Sequence, residues 1–341
     1  MKYLQIVLNI PLNQTFTYSW NDSENNSGET PETGKRAEVK FGNRKMTGFI
    51  VSVENEIPKE CPVSAEKIRS VLKIIDKEPL FTPEIYEFAA WISRYYICSI
   101  GEAIFSIIPS RAKREISCPG FSFEDDITAK NTNQLSDEQI DAVNAVIKAG
   151  ESGSVSYHYL YGPTGTGKTE VFLQCAEWFL NQGKGVIYLV PEIGLTPQVV
   201  KAVTARFGNT AAVLHSGLTP SQKLSEWRRI MHKEARIVIG ARSAVFAPVP
   251  ELGMIIIDEE HDGSYKSGET PRYHARQAAM HRCTALGIPL LMGSATPSAE
   301  AWHLMQTGRL VRHSLTKRLA GGAMPKIHII DLSTIENSGC I

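Results

Sequence analysis

Tyr157-His158-Tyr159-Leu160-Tyr161, followed without a break by Gly162-Pro163-Thr164-Gly165-Thr166-Gly167-Lys168-Thr169, is the segment that fixes the architecture of this chain. The first part reads as a buried strand, and the stretch Glu170 to Leu180 behind it reads as a helix. Between them lies G-x-x-x-x-G-K-T. Glycines at these positions let backbone N–H groups turn inward around an anion, and the helix N-terminus adds partial positive charge. The pattern calls for ATP and Mg²⁺. Gly162, Pro163, Thr164, Gly165, Thr166 and Gly167 would cradle the phosphates, Lys168 would reach the β- and γ-phosphates, and the Thr169 hydroxyl would ligate the metal. A glycine-rich turn matching by chance would lack the strand before it and the helix after it.

Downstream the alternation of strand and helix continues. Apolar strand candidates at 185–190, 211–214, 237–239, 254–257 and 289–292 are separated by helical stretches. That texture predicts a parallel α/β sheet covered on both faces. Met254-Ile255-Ile256-Ile257 runs straight into Asp258-Glu259-Glu260-His261. Acids at the carboxyl end of a buried parallel strand, beside a phosphate loop, are placed to hold Mg²⁺ and activate water. Asp258 is the candidate metal ligand and Glu259 the candidate general base. A solvated acidic loop is the ordinary alternative; the phosphate loop in the same chain favours catalysis.

The chain has 341 residues, enough for two or three domains, each with its own core. Lys plus Arg equals Asp plus Glu at 36 each, so no global basic field announces nucleic acid. Such a partner has to be argued from local motifs. No run approaches the roughly 20 apolar residues that cross a bilayer. The six cysteines never form Cys-x-x-Cys, which argues against a disulfide framework or closed zinc site and fits a reducing cytoplasm. Residues 1–75 read as short strands with turns. Phe16, Tyr18 and Trp20 alternate with polar residues, as do parts of Ala37 to Phe41; Thr47 to Val53 is a further strand, and Asn21 to Gly34 is a loop. A small β-barrel or sandwich follows from this. A helix is predicted from Pro83 to Tyr96, with Thr82 as N-cap and Ile85, Phe88, Ala89, Ile92 and Tyr96 on one stripe.

The phosphate loop, Asp-Glu-x-His and Gly293-Ser294-Ala295-Thr296-Pro297 resemble, in order and spacing, the superfamily 2 helicases and translocases. By that resemblance Ser294, Ala295 and Thr296 couple the γ-phosphate state to motion between two lobes. Several longer stretches narrow the match. Leu189 to Gln198, His215-Ser216-Gly217-Leu218, Gly240 to Pro248 and Asp258 to Arg276 resemble the PriA family of bacterial replication-restart helicases. In the N-terminal region, Pro11-Leu12 with Phe16 and Tyr18, Val39 to Gly42, and Ala90 to Tyr96 resemble that family's DNA 3′-end-binding domain. The expected division is 1–110 for a barrel-like DNA-binding domain ending in a helix, 111–134 for a linker, 135–332 for a RecA-like P-loop lobe, and 333–341 for a tail.

The resemblance implies roles residue by residue. Gln139 falls where the family contacts adenine. The loop from Tyr265 to His274 resembles an aromatic-rich element that senses single-stranded DNA, with Tyr265 and Tyr273 as stacking faces and Lys266 and Arg272 for phosphates. Packing of both tyrosines on the domain itself is the alternative. Arg242 resembles a strand-contacting position, with capping of a loop as its alternative. Phe16, Tyr18 and Gly34 fall at positions of a pocket for the 3′ end of a nascent strand, although Phe16 also suits a barrel core. The family carries Asp between the two aromatics, where this chain has Thr17.

Two departures shape the expected function. About 25 residues separate Ser110 from Leu135, too few for a winged-helix domain. After Thr296 there is room for a strand from Lys326 to Asp331, but not for a second RecA-like lobe with its arginine finger and zinc module. The resemblance therefore implies an ATP-dependent 3′-to-5′ DNA helicase of replication restart, with weak hydrolysis by this chain alone. Forked and single-stranded DNA, other primosome proteins and the single-stranded DNA-binding protein are the implied partners. Two other functions stay open: a fork-recognition and primosome-loading platform without essential ATPase activity, and another superfamily 2 translocase.

Overall fold

The computed structural model describes residues 1–21, 29–59, 61, 64–109, 135–192 and 197–318. The expected linker at 111–134, the strand at 326–331 and the tail at 333–341 lie outside these residues, as does the middle of the Leu189 to Gln198 stretch.

The alternating N-terminal segments form a five-stranded antiparallel sheet from β1 (Lys2–Leu8), β2 (Phe16–Trp20), β3 (Arg36–Phe41), β4 (Arg44–Glu54) and β5 (Lys73–Ile74), in the order β2-β1-β4-β3-β5. A register shift between Gln5 and Ile6, where β1 pairs with β4, helps curl it into a half-barrel. Strand alternation gives the sheet two apolar faces. Leu4, Ile6, Leu8, Tyr18, Trp20, Val39 and Ile50 fill the concave side. Val7 and Phe49 point the other way, toward two helices.

The first helix, α1 (Pro83–Tyr96), starts as its sequence dictates. Thr82 Oγ1 accepts the Ile85 N–H at 3.4 Å, Pro83 occupies the first turn, and Ile85, Phe88, Ala89 and Ile92 are buried. A second helix, α2 (Ile100–Ile107), was not anticipated. Its signal was present in Ser99-x-x-Glu102: Ser99 Oγ accepts the Glu102 N–H at 3.1 Å, and the Glu102 carboxylate accepts the Ser99 N–H at 2.9 Å. Gly101 lets this helix lie directly on β1, since a Cβ there would sit 1.9 Å from the Leu8 carbonyl oxygen.

The second unit alternates α3 (Asp137–Ser152), β6 (Tyr157–Tyr161), α4 (Lys168–Asn181), β7 (Gly185–Leu189), α5 (Pro197–Phe207), β8 (Ala211–Leu214), α6 (Pro220–Met231), β9 (Ile237–Gly240), β10 (Leu252–Ile257), α7 (Ala275–Leu286), β11 (Leu290–Ser294), α8 (Ala299–Gln306) and β12 (Val311–Ser314). The strands form one seven-stranded sheet ordered β12-β6-β11-β10-β7-β9-β8, with every pair parallel. This is the α/β architecture of a RecA-like P-loop lobe. Strand β12 escaped the sequence because Val311, Arg312 and Ser314 are exposed on an edge, leaving no apolar pattern.

The two units share a core. Helix α1 packs Phe88 on Phe246 with ring centroids 5.4 Å apart, and Trp91 stacks on His281 at 4.0 Å. Trp227 Nε1 donates to the Leu80 carbonyl at 2.7 Å. Buried Arg282 donates to the Glu84 carboxylate at 2.9 Å and to the carbonyls of Val245 and Ala247. The terminal helices of the β unit are thus as much part of the α/β unit's core as of their own.

Candidate active site and nucleic-acid interface

Strand order brings the motifs together. In the sheet β11 lies between β6 and β10, so the loops leaving these strands share one carboxyl edge. Those loops carry the phosphate loop, the acidic run and Ser294 to Pro297, which are far apart in sequence. Such an edge, next to a helix N-terminus, is where an open parallel sheet binds ligands.

The phosphate loop has the backbone its glycines permit. Gly165 and Gly167 adopt φ of +86° and +80°, and α4 begins at Lys168. Lys168 is buried, and its Nζ donates to the carbonyls of Gly162 at 2.9 Å and Pro163 at 3.3 Å, which holds the ammonium inside the loop. Thr169 is exposed. Gln139 is buried, but its carboxamide is committed to the chain. Its Oε1 accepts the Ser136 N–H at 2.8 Å, and its Nε2 donates to the carbonyls of Thr166 at 3.1 Å and Gly167 at 3.3 Å. In place of an edge offered to adenine, the structure gives Gln139 a brace between the start of α3 and the phosphate loop. The capping-box spacing of Ser136 and Gln139 explains why.

The acidic run divides into different environments. The Asp258 carboxylate accepts Tyr188 Oη at 3.0 Å and the Glu259 N–H at 2.9 Å. Burial, reinforced by neighbouring Glu259, pushes its pKa up to about 6. Glu259 has φ +43°, a rare and strained conformation for a side-chain-bearing residue. It remains partly exposed and accepts Ser294 Oγ at 2.9 Å. With its single proton given to Glu259, Ser294 Oγ accepts from the Thr296 N–H at 3.0 Å and from His261 at 2.7 Å, which assigns the imidazole proton to Nδ1. Ala295 is half-buried and Thr296 exposed.

Glu260, which the sequence did not single out, is the buried anchor. It accepts from Arg276, from Tyr159 Oη at 3.2 Å and from Ser298 Oγ at 2.8 Å, tying β6, β10, α7 and the start of α8 together. The signal was faint: an acid three residues past a buried strand and an Arg in a helix otherwise rich in Ala. A carboxylate and a hydroxyl, Asp258 and Thr169, form an oxygen donor set of the kind that suits Mg²⁺ beside substrate phosphates. Among the described residues no group of three His, Cys, Asp or Glu side chains forms a metal cluster. Mg²⁺ usually takes few protein ligands and keeps waters and phosphates, so this donor set fits it.

The candidate DNA residues fare unevenly. Tyr265 and Tyr273 are buried, and neither presents a face on which a base could stack. Tyr265 Oη donates to the Asp258 carbonyl at 2.7 Å, while Tyr273 lies edge-on to Phe246 at 4.8 Å under the Arg242 guanidinium. The expectation of stacking platforms is corrected to the packed alternative, because both rings complete the wall between α1, β10 and α7. Arg242 caps the same loop, donating to the carbonyls of Ser264 at 3.1 Å and Lys266 at 2.7 Å. Lys266 and Arg272 are exposed, and Lys266 donates to the Arg272 carbonyl with its ammonium 5.5 Å above the Tyr96 ring.

In the β unit, Phe16, Tyr18 and Phe41 line a pocket of about 330 Å³ whose other walls include Lys40, Lys67 and Arg69. Phe16 meets Phe41 edge-on at 5.0 Å, and Tyr18 Oη donates to the Lys40 carbonyl at 3.4 Å. Gly34 is not part of this pocket, which corrects its assignment. Its φ of +97° and the approach of Pro79, 2.9 Å from where a Cβ would stand, place it instead in a tight passage beside Leu80.

Comparison with known proteins accounts for both units. Residues 5–109 match the 3′DNA-binding domain model of PriA, and residues 136–304 match the DEAD/DEAH box helicase model. The replication restart protein PriA of Treponema pallidum is 45% identical over 331 residues, covering 97% of this chain and 49% of that protein. Its Bacillus subtilis counterpart is 47% identical over 198 residues, covering 58% of this chain and 25% of that protein. The Haemophilus influenzae PriA is 31% identical over 404 aligned positions, covering 97% of this chain and 54% of that protein. The last alignment is longer than this chain, so that relative carries residues with no counterpart here. The chain spans about half the length of the Treponema and Haemophilus relatives. With a 3′DNA-binding domain joined to a DEAD/DEAH-type lobe in one polypeptide, and identity to PriA running through both, the chain belongs to the PriA family of replication restart proteins and matches its N-terminal part.

Proposed function

We propose that this chain is the DNA-recognising and ATP-binding portion of an ATP-dependent 3′-to-5′ DNA helicase that acts at stalled or abandoned replication forks and starts primosome assembly. The observation that carries the proposal is the Ser294 hydroxyl, which joins Glu259, His261 and Thr296 at the sheet edge that also holds Lys168 and Asp258. A motor needs such a link between the acid that handles water and the loop that faces a second lobe. In this scheme Lys168 and the loop amides bind the triphosphate, and Thr169 with Asp258 holds Mg²⁺. Bound Mg²⁺ would neutralise charge on the phosphoryl oxygens. Glu259, partly exposed and oriented by Ser294, accepts a proton from water.

The aromatic and cationic pocket of the β unit receives the 3′-terminal nucleotide of a DNA strand, with a base against Phe16 and Phe41. Exposed Lys266 and Arg272 contact backbone phosphates. The PriA family relationship supports chromosomal forks, other primosome proteins and the single-stranded DNA-binding protein as partners, and a cytoplasmic site of action. A zinc module would belong to parts of such a protein with no counterpart here. The 341-residue chain assayed by itself is expected to bind nucleotide and forked DNA and to turn over ATP slowly.

The test is fluorescent nucleotide binding and ATP hydrolysis with and without a fork bearing a 3′ end, alongside Lys168→Ala. Nucleotide affinity lost in Lys168→Ala, with circular dichroism and fork binding unchanged, supports the proposal. Fork binding with no nucleotide affinity in the parent chain would favour a recognition platform without essential ATPase activity. Equal affinity for forks with and without a 3′ end would favour a different superfamily 2 translocase.

A further inference from the structure

In β7, Gly185-Val186-Ile187-Tyr188-Leu189, Tyr188 is the one side chain that carries a polar atom. A phenol in a buried parallel strand has to bring its hydroxyl to a partner. Tyr188 is fully buried, and its Oη donates to Asp258 Oδ2 at 3.0 Å, just past the end of the neighbouring β10. The other carboxylate oxygen accepts the Glu259 N–H at 2.9 Å. The Asp258 backbone is pinned as well, its N–H donating to the Leu189 carbonyl at 2.9 Å and its carbonyl accepting from Tyr265. The Tyr188 ring has a second neighbour. Phe172 meets it edge-on with centroids 5.9 Å apart, and Phe172 lies one turn past Lys168 and Thr169 on α4.

We infer that Tyr188 is a positioning residue for the Mg²⁺ of the nucleotide complex, orienting the Asp258 carboxylate and spacing it from the helix that carries Thr169. The inference rests on the proposed reading of Asp258 and Thr169 as metal-holding groups and adds the residue that sets them relative to one another. A carboxylate at a sheet edge can turn about its own side-chain bonds, and each rotamer presents its oxygens differently. One hydrogen bond to each oxygen removes that freedom. It leaves acceptor sites on both, since a carboxylate has about four. On its other side the ring packs against Phe172, so one rigid aromatic stands between the first turns of α4 and the Asp258 carboxylate. Removing a group that orients a metal ligand in this way typically weakens metal affinity by about 10- to 100-fold. Phenylalanine keeps the volume of the ring and lacks only the donor, so Tyr188→Phe separates orientation from packing.

The experiment uses the whole chain, a fluorescent non-hydrolysable ATP analogue and Mg²⁺. Affinity for the analogue is measured without metal and across a Mg²⁺ titration, and the Mg²⁺ concentration giving half of the gain is read. In Tyr188→Phe that midpoint should rise about tenfold or more. Metal-free affinity and the melting temperature should stay at the parent values. Tyr159→Phe removes a buried phenol hydroxyl of the same kind, from Glu260 instead, and should leave the Mg²⁺ midpoint in place. A Tyr188→Phe midpoint equal to or below the parent's, with Asp258→Asn still raising it, would overturn the inference and leave Asp258 as a metal-holding group. An equal rise in both phenylalanine variants, or a matching loss of metal-free affinity in Tyr188→Phe, would also overturn it, because the sheet edge would then be loosened as a whole. A Mg²⁺ response untouched by Asp258→Asn would remove the metal-holding reading of Asp258, and the inference with it.

Discussion

At the scale of single residues, adjacent carboxylates in this chain do unlike jobs because their surroundings differ. Asp258 is buried against Tyr188, Glu259 is partly exposed beside Ser294, and Glu260 is sealed in with Arg276. The positions of the first two were legible in the sequence, because both directly follow a buried strand whose carboxyl end lies beside the phosphate loop. Glu260 was not, because nothing in its local context shows that an Arg from α7 and the Ser298 at the start of α8 arrive on top of it. Glu260→Gln would leave the Arg276 guanidinium buried without its counter-ion, and removal of one partner from such a pair costs about 3 kcal/mol or more. Urea titration should show that loss at pH 7. An unchanged midpoint would mean the Arg276 charge is compensated elsewhere.

At the scale of elements, close backbone approach and buried imidazoles set the sensitive points. Helix α2 can rest on β1 only because Gly101 has no side chain, so Gly101→Ala must push the helix off the Leu8 carbonyl. A destabilisation of about 2 kcal/mol or more is expected, in the range of other overpacked cores, and it should appear as a lowered melting temperature. His158 on β6 shares a hydrogen bond with His313 on β12 at 3.0 Å, and burial, reinforced by His313, lowers its pKa to about 4. A histidine with a depressed folded-state pKa favours folding while it is neutral. That stability is fully present above the unfolded value near 6.5 and is lost as pH falls toward 4. Between pH 7 and 5 the loss should amount to about 2 kcal/mol, and His158→Leu should flatten most of that slope. A parent chain equally resistant to urea at both pH values would show that His158 is charged without penalty.

At the scale of the whole molecule, the β unit and the α/β unit are joined by a core rather than hung on a tether. Arg282 is buried between them, bound to Glu84 from one side and to the Val245 and Ala247 carbonyls from the other. A single cooperative unfolding transition is expected, with both units melting together. Arg282→Ala removes the shared donor and leaves two carbonyls unsatisfied, at a cost of about 3 kcal/mol. It should also separate the transition into two in calorimetry. Two transitions already present in the parent chain would show that the shared core does not couple the units.

The sequence by itself determined the α/β architecture, the phosphate loop, the place of Asp258 and Glu259 at the carboxyl end of a buried strand, and the capped helix α1. Each of these follows from local chemistry: strand periodicity, glycine conformational freedom, a proline in a first turn, or an acid ending a strand. Tertiary structure alone decided the rest. It turned Tyr265 and Tyr273 inward, committed Gln139 to the phosphate loop, separated Gly34 from the aromatic pocket and seated α1 on its neighbour. The physical reason is that burial and partnership are settled by residues distant in sequence. A tyrosine in a loop is written the same way whether its ring meets solvent or, as here, is covered by Arg242 and Phe246.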